Sequence, residues 1–442
     1  MIFKSLTALL HSNCMEEHIP LQHEPGVEKI HSGTKPLPDL PPELHEAIIN
    51  NLEGQNEALL QCALTCNLYR HLAQKILFKT VVFRFCADFN PADRFLDILE
   101  TSPHIASYVK RLSLCEYGGD VPGTGKLQSQ LDESMPLVIP ALINLVDLVI
   151  GGETFDFRFL ELKHASQVAI LNKCDRLRSL TLRHVDDIPV GIFSHLQRLE
   201  TFNVDGVIFV LNGPEEQVLG QGLYSYPSRI KHMKLADSWI KIGTIYQFFR
   251  KERFGVGCVE SLSIDMNPHG WQALPPTDFE AVRWLIRNNA GSLRVLDVSI
   301  SGNVPVILPD DEPVFDASKM PLLEEFTLGG VVCSSEAGIR TGPIGLGWLS
   351  RHLETISAGQ KLKRVTLRLA ILGAGNVADN ELDFEGLKYF EELVVDKVLS
   401  RTASFSITFK IWDQQDTKPA REQMQKRLPT LQALGLLHFE EY

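Results

Sequence analysis

The chain has 442 residues, of which 44% are hydrophobic and 22% are charged, a composition typical of a folded globular protein. Its 55 acidic and 43 basic residues give a net charge of -12, which argues against nucleic acid or an anionic membrane as the main partner. No stretch approaches the roughly 20 consecutive apolar residues that cross a bilayer. The composition therefore excludes a disordered chain, and we expect no membrane-spanning segment.

Cysteine usage and the amino-terminal sequence bear on the cellular compartment. The 8 cysteines are scattered without the dense spacing of a disulfide scaffold, so we expect reduced thiols. The chain has no Asn-x-Ser/Thr glycosylation sequon, which favours a cytoplasmic or nuclear protein. The first residues, MIFKSLTALLHSNC, include a short apolar run but no convincing cleavage site. We expect residues 1–36 to be a disordered or flexible leader.

A stiff, proline-rich segment introduces the first predicted helix. In LPDLPPELHEAIINNL, residues 37–52, Leu44, Ile48 and Leu52 recur every four positions and so mark one face of a helix. Two of the prolines suit its first turn, and Gly54 is placed to end it. The sequence therefore predicts a short amphipathic helix directly after a rigid Leu-Pro segment.

A second helix is predicted at residues 56–78, NEALLQCALTCNLYRHLAQKILF, and it carries apolar residues on more than one face. A helical hairpin of about 40 residues is too small to bury so much apolar surface by itself. Part of that surface must therefore contact another domain or another chain.

Residues 37–83 resemble an F-box, the adaptor-binding module of SCF-type cullin-RING ubiquitin ligases. The resemblance rests on the Leu-Pro segment, the apolar positions of both helices, the CALTC run and an aromatic residue near the middle of the second helix. It implies that a Skp-type adaptor binds the module and connects the chain to a cullin. The implied adaptor-binding residues are Leu40, Pro41, Glu43, Leu44, Ile48, Ile49, Leu52, Leu59, Leu60, Ala63, Leu64, Cys66 and Tyr69.

Two positions depart from the F-box pattern. Glu53 and Gly54 follow the first helix where many members have a proline, and Tyr69 stands where tryptophan or phenylalanine is common. Neither change disturbs the apolar faces. The alternative is an ordinary helical hairpin that caps the rest of the fold.

The remainder of the chain repeats a short apolar-x-x-apolar-x-apolar segment ten times, with the middle apolar residue at 112, 148, 180, 202, 233, 262, 296, 326, 365 and 434. Only four of the thirty intervening positions are apolar, and this alternation predicts β-strands. A further strand is predicted at SFSITFKIW, residues 404–412.

Helical patterns lie between the predicted strands. Thr277 and Glu280 form a capping box, a face of Phe279, Val282, Leu285 and Ile286 follows, and Gly291 ends the helix. Similar helices fit PADRFLDILETS, IYQFFRKERF and GLKYFEELVVDKVLS. Strands that alternate with helices predict an α/β fold with a parallel sheet.

The repeated segments resemble leucine-rich repeats, although the units are longer and less even than the family norm. An F-box followed by such repeats is a pairing that is much expanded in fungi. We therefore predict an F-box module at 37–83, an irregular leucine-rich-repeat-like α/β solenoid at 84–442, and exposed loops at 117–136 and 371–383.

The sequence contains no motif that indicates catalysis. GGDVPGTGK lacks two residues of the phosphate-loop motif, because Asp120 and Leu127 occupy positions that require glycine and serine or threonine. Cys62 and Cys66 have no second pair of metal ligands nearby, so we expect them to pack. We predict a non-enzymatic protein without a cofactor or a resident metal.

The open face of the sheet is the predicted substrate site, because residues that alternate with the buried ones face outward. Its mixed charges suit a protein substrate better than a polyanion. The predicted substrate-binding residues are Arg183, Asp205, Lys234, Asp265, Asp297, Glu325, Arg364 and Arg368. The alternatives for this face are a solvated surface without a ligand and substrate binding at the loops 117–136 and 371–383 instead. The alternatives for the chain are a repeat scaffold without a role in ubiquitin transfer and an enzyme of unrecognised type.

Overall fold

The computed structural model describes residues 40–85, 89–116, 124–151, 157–210, 230–236, 257–266, 276–300, 315–334, 342–357, 360, 362–372, 384–412 and 418–441. The chain forms two compact units, Met1–Leu148 and Val149–Tyr442. The predicted leader and the predicted helix IYQFFRKERF lie outside the described residues.

The first unit opens with three short helices, which are α1 (Pro42–Asn50), α2 (Asn56–Thr65) and α3 (Asn67–Leu77). The first helical residue of α1 is proline, as predicted, and the Pro41 carbonyl accepts a hydrogen bond of 2.9 Å from the Leu44 amide. Gly54 has a φ of +89°, a conformation that favours glycine in the turn after α1.

The predicted single helix at 56–78 is two helices, and the break falls at Cys66. This residue has extended backbone angles, φ -153° and ψ 168°. The Thr65 hydroxyl donates a hydrogen bond of 2.8 Å to the Cys62 carbonyl at the end of α2. The Cys66 carbonyl in turn accepts from the Arg70 amide at 2.9 Å and so begins α3. One local hydrogen bond therefore ends α2 and another begins α3, so the chain can leave the helical conformation at Cys66.

The first unit continues with strands and helices in alternation. These elements are β1 (Thr80–Phe85), α4 (Pro91–Thr101), a 3-10 helix (Pro103–Ser107), β2 (Arg111–Glu116), α5 (Thr124–Ala141) and β3 (Asp147–Gly151), which begins at the end of the unit. Strands β1 and β2 are parallel. The predicted module boundary after residue 83 falls inside β1, which follows α3 after two residues.

Helix α5 overlaps the predicted loop at 117–136, so the loop prediction is wrong from Thr124 onward. The loop was predicted from the glycines and prolines of residues 117–136, yet the helix contains both Pro136 and Pro140. Its apolar residues nevertheless follow helical spacing, and four of them are buried: Leu131, Met135, Val138 and Ile139. Burial of this stripe outweighs the cost of the two prolines.

The second unit contains a parallel sheet whose described strands pair in chain order. The strands are β4 (Ser179–Arg183), β5 (Thr201–Asp205), β6 (His232–Ala236), β7 (Ser261–Met266), β8 (Val295–Ile300), β9 (Glu325–Ser334), β10 (Leu362–Leu372), β11 (Thr402–Trp412) and β12 (Leu437–Glu441). Two small two-stranded ladders join Phe157–Arg158 to Val185–Asp186 and Ile188–Pro189 to Phe209–Val210. The predicted α/β fold with a parallel sheet is confirmed.

Helices connect several of these strands. They are α6 (His164–Cys174), α7 (Pro276–Asn289), α8 (Gly342–Glu354), α9 (Phe384–Leu393) with a π-helical turn (Val394–Val398), α10 (Lys418–Arg427) and α11 (Pro429–Ala433). Shorter 3-10 segments occupy Phe159–Glu161, Val190–His195 and Ala317–Lys319. The predicted apolar face of α7 is buried at all four positions.

The strand alternation predicted from the sequence is confirmed at nine of the ten segments, where the middle apolar residue is buried in a strand. SFSITFKIW is also a strand, within β11. The strand prediction for the tenth segment, LQALGL, is wrong: α11 covers its first three residues, Leu434 is exposed, and the strand starts at Leu437. Gly435, with a φ of +69°, makes the turn between that helix and β12.

Candidate functional site

The three amino-terminal helices have a small, complete core of their own. Ile49, Leu59, Ala63 and Ala73 are fully buried and form one cluster. The partly buried residues packed against it are Leu52, Cys62, Tyr69, Leu72, Ile76 and Leu77. This core draws on all three helices, so it fixes their arrangement.

Outside this core the helices carry exposed large apolar side chains, with relative exposures between 43% and 54%. We call this set the outer apolar residues: Leu40, Leu44, Ile48, Leu64 and Leu68. They make up five of the eleven exposed large hydrophobic residues in the described part of the chain, yet they fall within 29 positions. Such concentration is typical of a surface that binds another protein segment.

The outer apolar residues occupy two places on the module. Leu44 and Ile48 lie one turn apart on α1, directly after Leu40. Leu64 and Leu68 flank the break between α2 and α3 at Cys66, which is itself exposed. Leu68 is absent from the predicted adaptor-binding set, although its spacing of four from Leu64 was a signal that could have found it.

The thirteen predicted adaptor-binding residues divide into three groups by burial. Seven are exposed, and these are Leu40, Pro41, Glu43, Leu44, Ile48, Leu64 and Cys66. Three are partly buried, and these are Leu52, Leu60 and Tyr69. The other three, Ile49, Leu59 and Ala63, are buried in the module's own core and can act only by holding the helices in place.

Polar contacts fix α1 against α3. The Tyr69 hydroxyl is hydrogen-bonded to Nδ1 of His45 at 3.0 Å, and the two rings meet edge to face at 5.4 Å. Lys75 and Glu46 form an ion pair of 3.2 Å between the same helices. The Tyr69 hydroxyl therefore makes a hydrogen bond between α1 and α3 that a phenylalanine at this position could not make.

The helical module also packs against the following repeat in the same unit. Gln74 of α3 is buried, and its Oε1 is hydrogen-bonded to Nε2 of His104 at 3.3 Å. His71 is hydrogen-bonded to the Tyr108 hydroxyl at 3.2 Å. The Lys79 carbonyl accepts the amides of residues 110 and 111 at 3.0 Å. Module and repeat thus share one structure.

The open face of the second unit's sheet presents the eight predicted substrate-binding residues. Five of them are exposed, and these are Arg183, Lys234, Asp265, Arg364 and Arg368. Asp205, Asp297 and Glu325 are half-buried. Strand register places Asp205 and Asp265 beside Ala236, on either side of it. All eight lie in strands on the predicted face.

Ion pairs divide the four acidic residues on this face, which are Asp205, Asp265, Asp297 and Glu325. Arg368 contacts Asp297 at 3.1 Å, and Arg364 contacts Glu325 at 3.5 Å. The two acids on β8 and β9 are therefore balanced by arginines on β10, whereas Asp205 and Asp265 lie two strands apart on β5 and β7. The face therefore carries both signs: acidic residues on the neighbouring strands β7, β8 and β9 lie between Lys234 on β6 and the two arginines on β10.

Charges at the start of the strands and a buried histidine complete the electrostatics. Lys363 contacts Glu324 at 2.5 Å, and this hydrogen bond lowers the pKa of the Glu324 carboxyl. His352 on α8 contacts the rings of Phe315 and Trp348, at centroid distances of 4.3 and 4.2 Å. Burial lowers the pKa of His352 to about 4.

The described residues contain no group of three or more histidine, cysteine, aspartate or glutamate side chains that could hold a metal ion. Within the same residues, no helix is both long and apolar enough to span a bilayer. Cys62 is half-buried and packs on the core cluster, as predicted, whereas Cys66 is exposed at the helix junction.

Comparison with protein-family models gives no match, and neither does comparison with curated proteins. Among solved structures, a protein from Bacteroides fragilis aligns with a TM-score of 0.32 and 12% identity over 74% of this chain and 73% of that chain. A chain of the Rad7 and Elc1 complex in yeast aligns with a TM-score of 0.34 and 13% identity over 86% of this chain and 91% of that chain. Scores this low establish neither a family nor a function.

Proposed function

We propose that the chain is the substrate-recognition subunit of an SCF-type cullin-RING ubiquitin ligase. Its amino-terminal helices dock on a Skp-type adaptor, which connects it to a cullin, and the open sheet face of the second unit binds a protein substrate. One observation carries the proposal: the outer apolar residues are concentrated on a small helical module whose core is already complete.

The energetics favour a partner for these side chains. Full burial of a leucine contributes roughly 1.5 to 3 kcal/mol, so covering the exposed half of each side chain contributes about 1 kcal/mol. The outer apolar residues together then supply about 5 kcal/mol, a large share of the free energy of a micromolar complex. Pro41 and Pro42 stiffen the backbone next to Leu40 and so reduce the entropy lost on docking.

In this assignment the chain performs no chemistry and needs no cofactor. The ligase partners carry out ubiquitin transfer, in the cytoplasm or the nucleus, while this chain holds the substrate. The mixed charges of the open face suit a folded protein surface that itself carries both signs.

The test is co-purification with a purified Skp-type adaptor. Leu40→Ala combined with Pro41→Ala removes exposed groups and is expected to abolish adaptor binding while leaving the melting temperature nearly unchanged. Leu322→Ala combined with Leu434→Ala removes leucines of similar exposure elsewhere and should leave adaptor binding intact. Undiminished recovery of the adaptor with the first variant would contradict the F-box assignment.

A second candidate function is a repeat scaffold in which the helices are a structural cap. The contact of Gln74 with His104 favours it, because a terminal repeat needs a polar cover over its apolar end. Deleting residues 1–78 leaves β1 whole and separates the two functions. A soluble, folded product supports a docking module, whereas an insoluble product, together with failure of the intact chain to bind an adaptor, supports the cap.

A further inference from the structure

The residues at which the strands of the second unit begin carry charges whose sign alternates from one strand to the next. Six of these residues directly precede β4 to β9, and the seventh, Lys363, lies level with them in β10. We call them the charge ladder: Arg178, Glu200, Lys231, Glu260, Arg294, Glu324 and Lys363. At the chain's 22% content of charged residues, only about two of seven positions would carry a charge. The pattern therefore needs a cause that is specific to these positions.

The backbone holds the members of the charge ladder in one line. The amide of each of the last six donates a hydrogen bond of 2.7 or 2.8 Å to the carbonyl of the member on the preceding strand. Adjacent strands of a sheet lie about 4.8 Å apart, so the charges of neighbouring members act on each other. Every glutamate of the ladder therefore lies between two cations.

Ion pairs are formed at both ends of the charge ladder. Nε of Arg178 lies 4.0 Å from Oε1 of Glu200. At the other end Glu324 contacts both Arg294, at 3.5 Å, and Lys363, at 2.5 Å. The four cations are exposed, and the three glutamates are half-buried between them. Half-burial weakens the screening by solvent that makes an isolated surface pair ineffective.

The core alone does not identify the correct neighbour of a strand. Each strand from β4 to β10 buries two apolar side chains at the same two positions, so a strand that paired out of order would still cover the core. The charges distinguish the two arrangements. Because their sign alternates, a strand that skipped its neighbour would bring two like charges side by side, which is destabilising.

We propose that the charge ladder acts as one electrostatic network that favours the native order of the strands in the second unit. Opposite charges on neighbouring strands stabilise this order, and the same charges oppose an order from which one strand is omitted. The inference concerns the assembly of the fold and does not rest on the proposed function.

The first experiment reverses the charge at the middle of the ladder. Glu260→Lys replaces attraction to Lys231 and Arg294 by repulsion, so the unfolding equilibrium constant in urea should rise about tenfold. Glu392→Lys is the matched control, because Glu392 is exposed on α9 outside the ladder. Sodium chloride at about 1 M should reduce the difference between the two variants, since salt screens charges.

Equal unfolding constants for the reversed variant and its control at low salt would overturn the inference. Glu260→Gln removes the charge without reversing it and should raise the unfolding constant about threefold. This milder variant keeps the comparison possible if Glu260→Lys does not fold, and an unfolding constant equal to that of the unaltered chain would count against the ladder.

The second experiment tests whether neighbours in the ladder act on each other. Glu324→Lys places a third cation between Arg294 and Lys363 and should raise the unfolding constant. Adding Lys363→Glu restores one attractive pair on adjacent strands and should recover about fivefold. Adding Lys388→Glu instead gives the same net charge at an exposed site on α9 and should recover nothing. Equal recovery from the two additions would show that only net charge matters and would overturn the network.

Discussion

Arg368 reaches across strand β9 to Asp297, and its Nη1 atom lies 3.1 Å from the Oδ2 atom. The two residues belong to strands β10 and β8, so the side chain crosses the strand between them. Its register partner on that strand is Gly329, which has no side chain to block the path. The absence of a side chain at Gly329 thus leaves room for this ion pair across β9.

Gly329 should resist substitution for a related reason. A Cβ atom at this position would lie 2.3 Å from Oγ of Ser299, so Gly329→Ala must displace the neighbouring strand. We expect a loss of about 1 to 3 kcal/mol in the free energy of unfolding, measured by urea denaturation. Gly291→Ala is the control, because a Cβ there meets nothing within 4 Å. Equal stability of the two variants would contradict the close approach.

The substrate site is tested by changing charge on the open face. Substituting Asp265, Asp297 and Glu325 together by serine removes three acids and releases Arg364 and Arg368 from their ion pairs. We expect the chain to lose proteins that it captures when cullin activity is blocked, while it keeps the adaptor. The matched control replaces three exposed acids on helices, Glu280, Glu392 and Glu422.

Both triple variants change the net charge equally, so a difference between them reports position rather than charge. An unchanged set of captured proteins in the first variant, with the adaptor still bound, would place the substrate site away from the open face.

Substitutions of a core leucine and of an outer leucine in the helical module should have different effects on stability and on adaptor binding. Leu59 is fully buried, so Leu59→Ala is expected to cost about 2 to 5 kcal/mol of unfolding free energy. Leu44 is half-exposed, and Leu44→Ala should cost under about 1 kcal/mol while weakening adaptor binding. Urea denaturation and calorimetry on the same samples measure both. If Leu44→Ala alters stability and leaves affinity unchanged, the outer apolar residues are not a docking surface.

His352 should make the protein less stable in acid. Burial lowers its pKa to about 4 in the folded chain, from about 6.5 when unfolded. The unfolded chain therefore binds the proton first as pH falls. The stabilisation is complete above pH 6.5 and is lost progressively down to about pH 4.

Between pH 7.5 and pH 5 this linkage amounts to about 2 kcal/mol of unfolding free energy. His352→Gln should flatten the difference between the two pH values by that amount, whatever its effect at neutral pH. Urea denaturation at both pH values measures the change. Identical pH dependence in the variant and the unaltered chain would show that His352 is not held neutral by burial.

The sheet was predictable because its signal is local. In each strand the residues that face the core alternate with those that face water, and this period of two is visible in six consecutive letters. The segment LQALGL carries the same letters, but the short helix α11 and the turn at Gly435 occupy it. Six residues cannot distinguish one helical turn from one strand when flanking segments decide the outcome.

The site was less predictable, because its key properties depend on packing. Leu44 and Ile49 read alike as apolar letters, yet one is half-exposed and the other is buried in the core. Their difference is set by α3, which covers one side of α1 through Tyr69 and His45. The pairing of Arg368 with Asp297 likewise depends on the strand register. The two residues are 71 positions apart, and no sequence pattern links them.

Only Phe78 and Lys79 separate helix α3 from strand β1, and this short connection limits how such a chain can be recombined during evolution. A crossover at residue 83 would split a strand and leave Gln74 without His104. Inheritance of a working module therefore requires strand β1 and the residues around His104 as well, so a crossover that keeps these contacts must lie further along the chain.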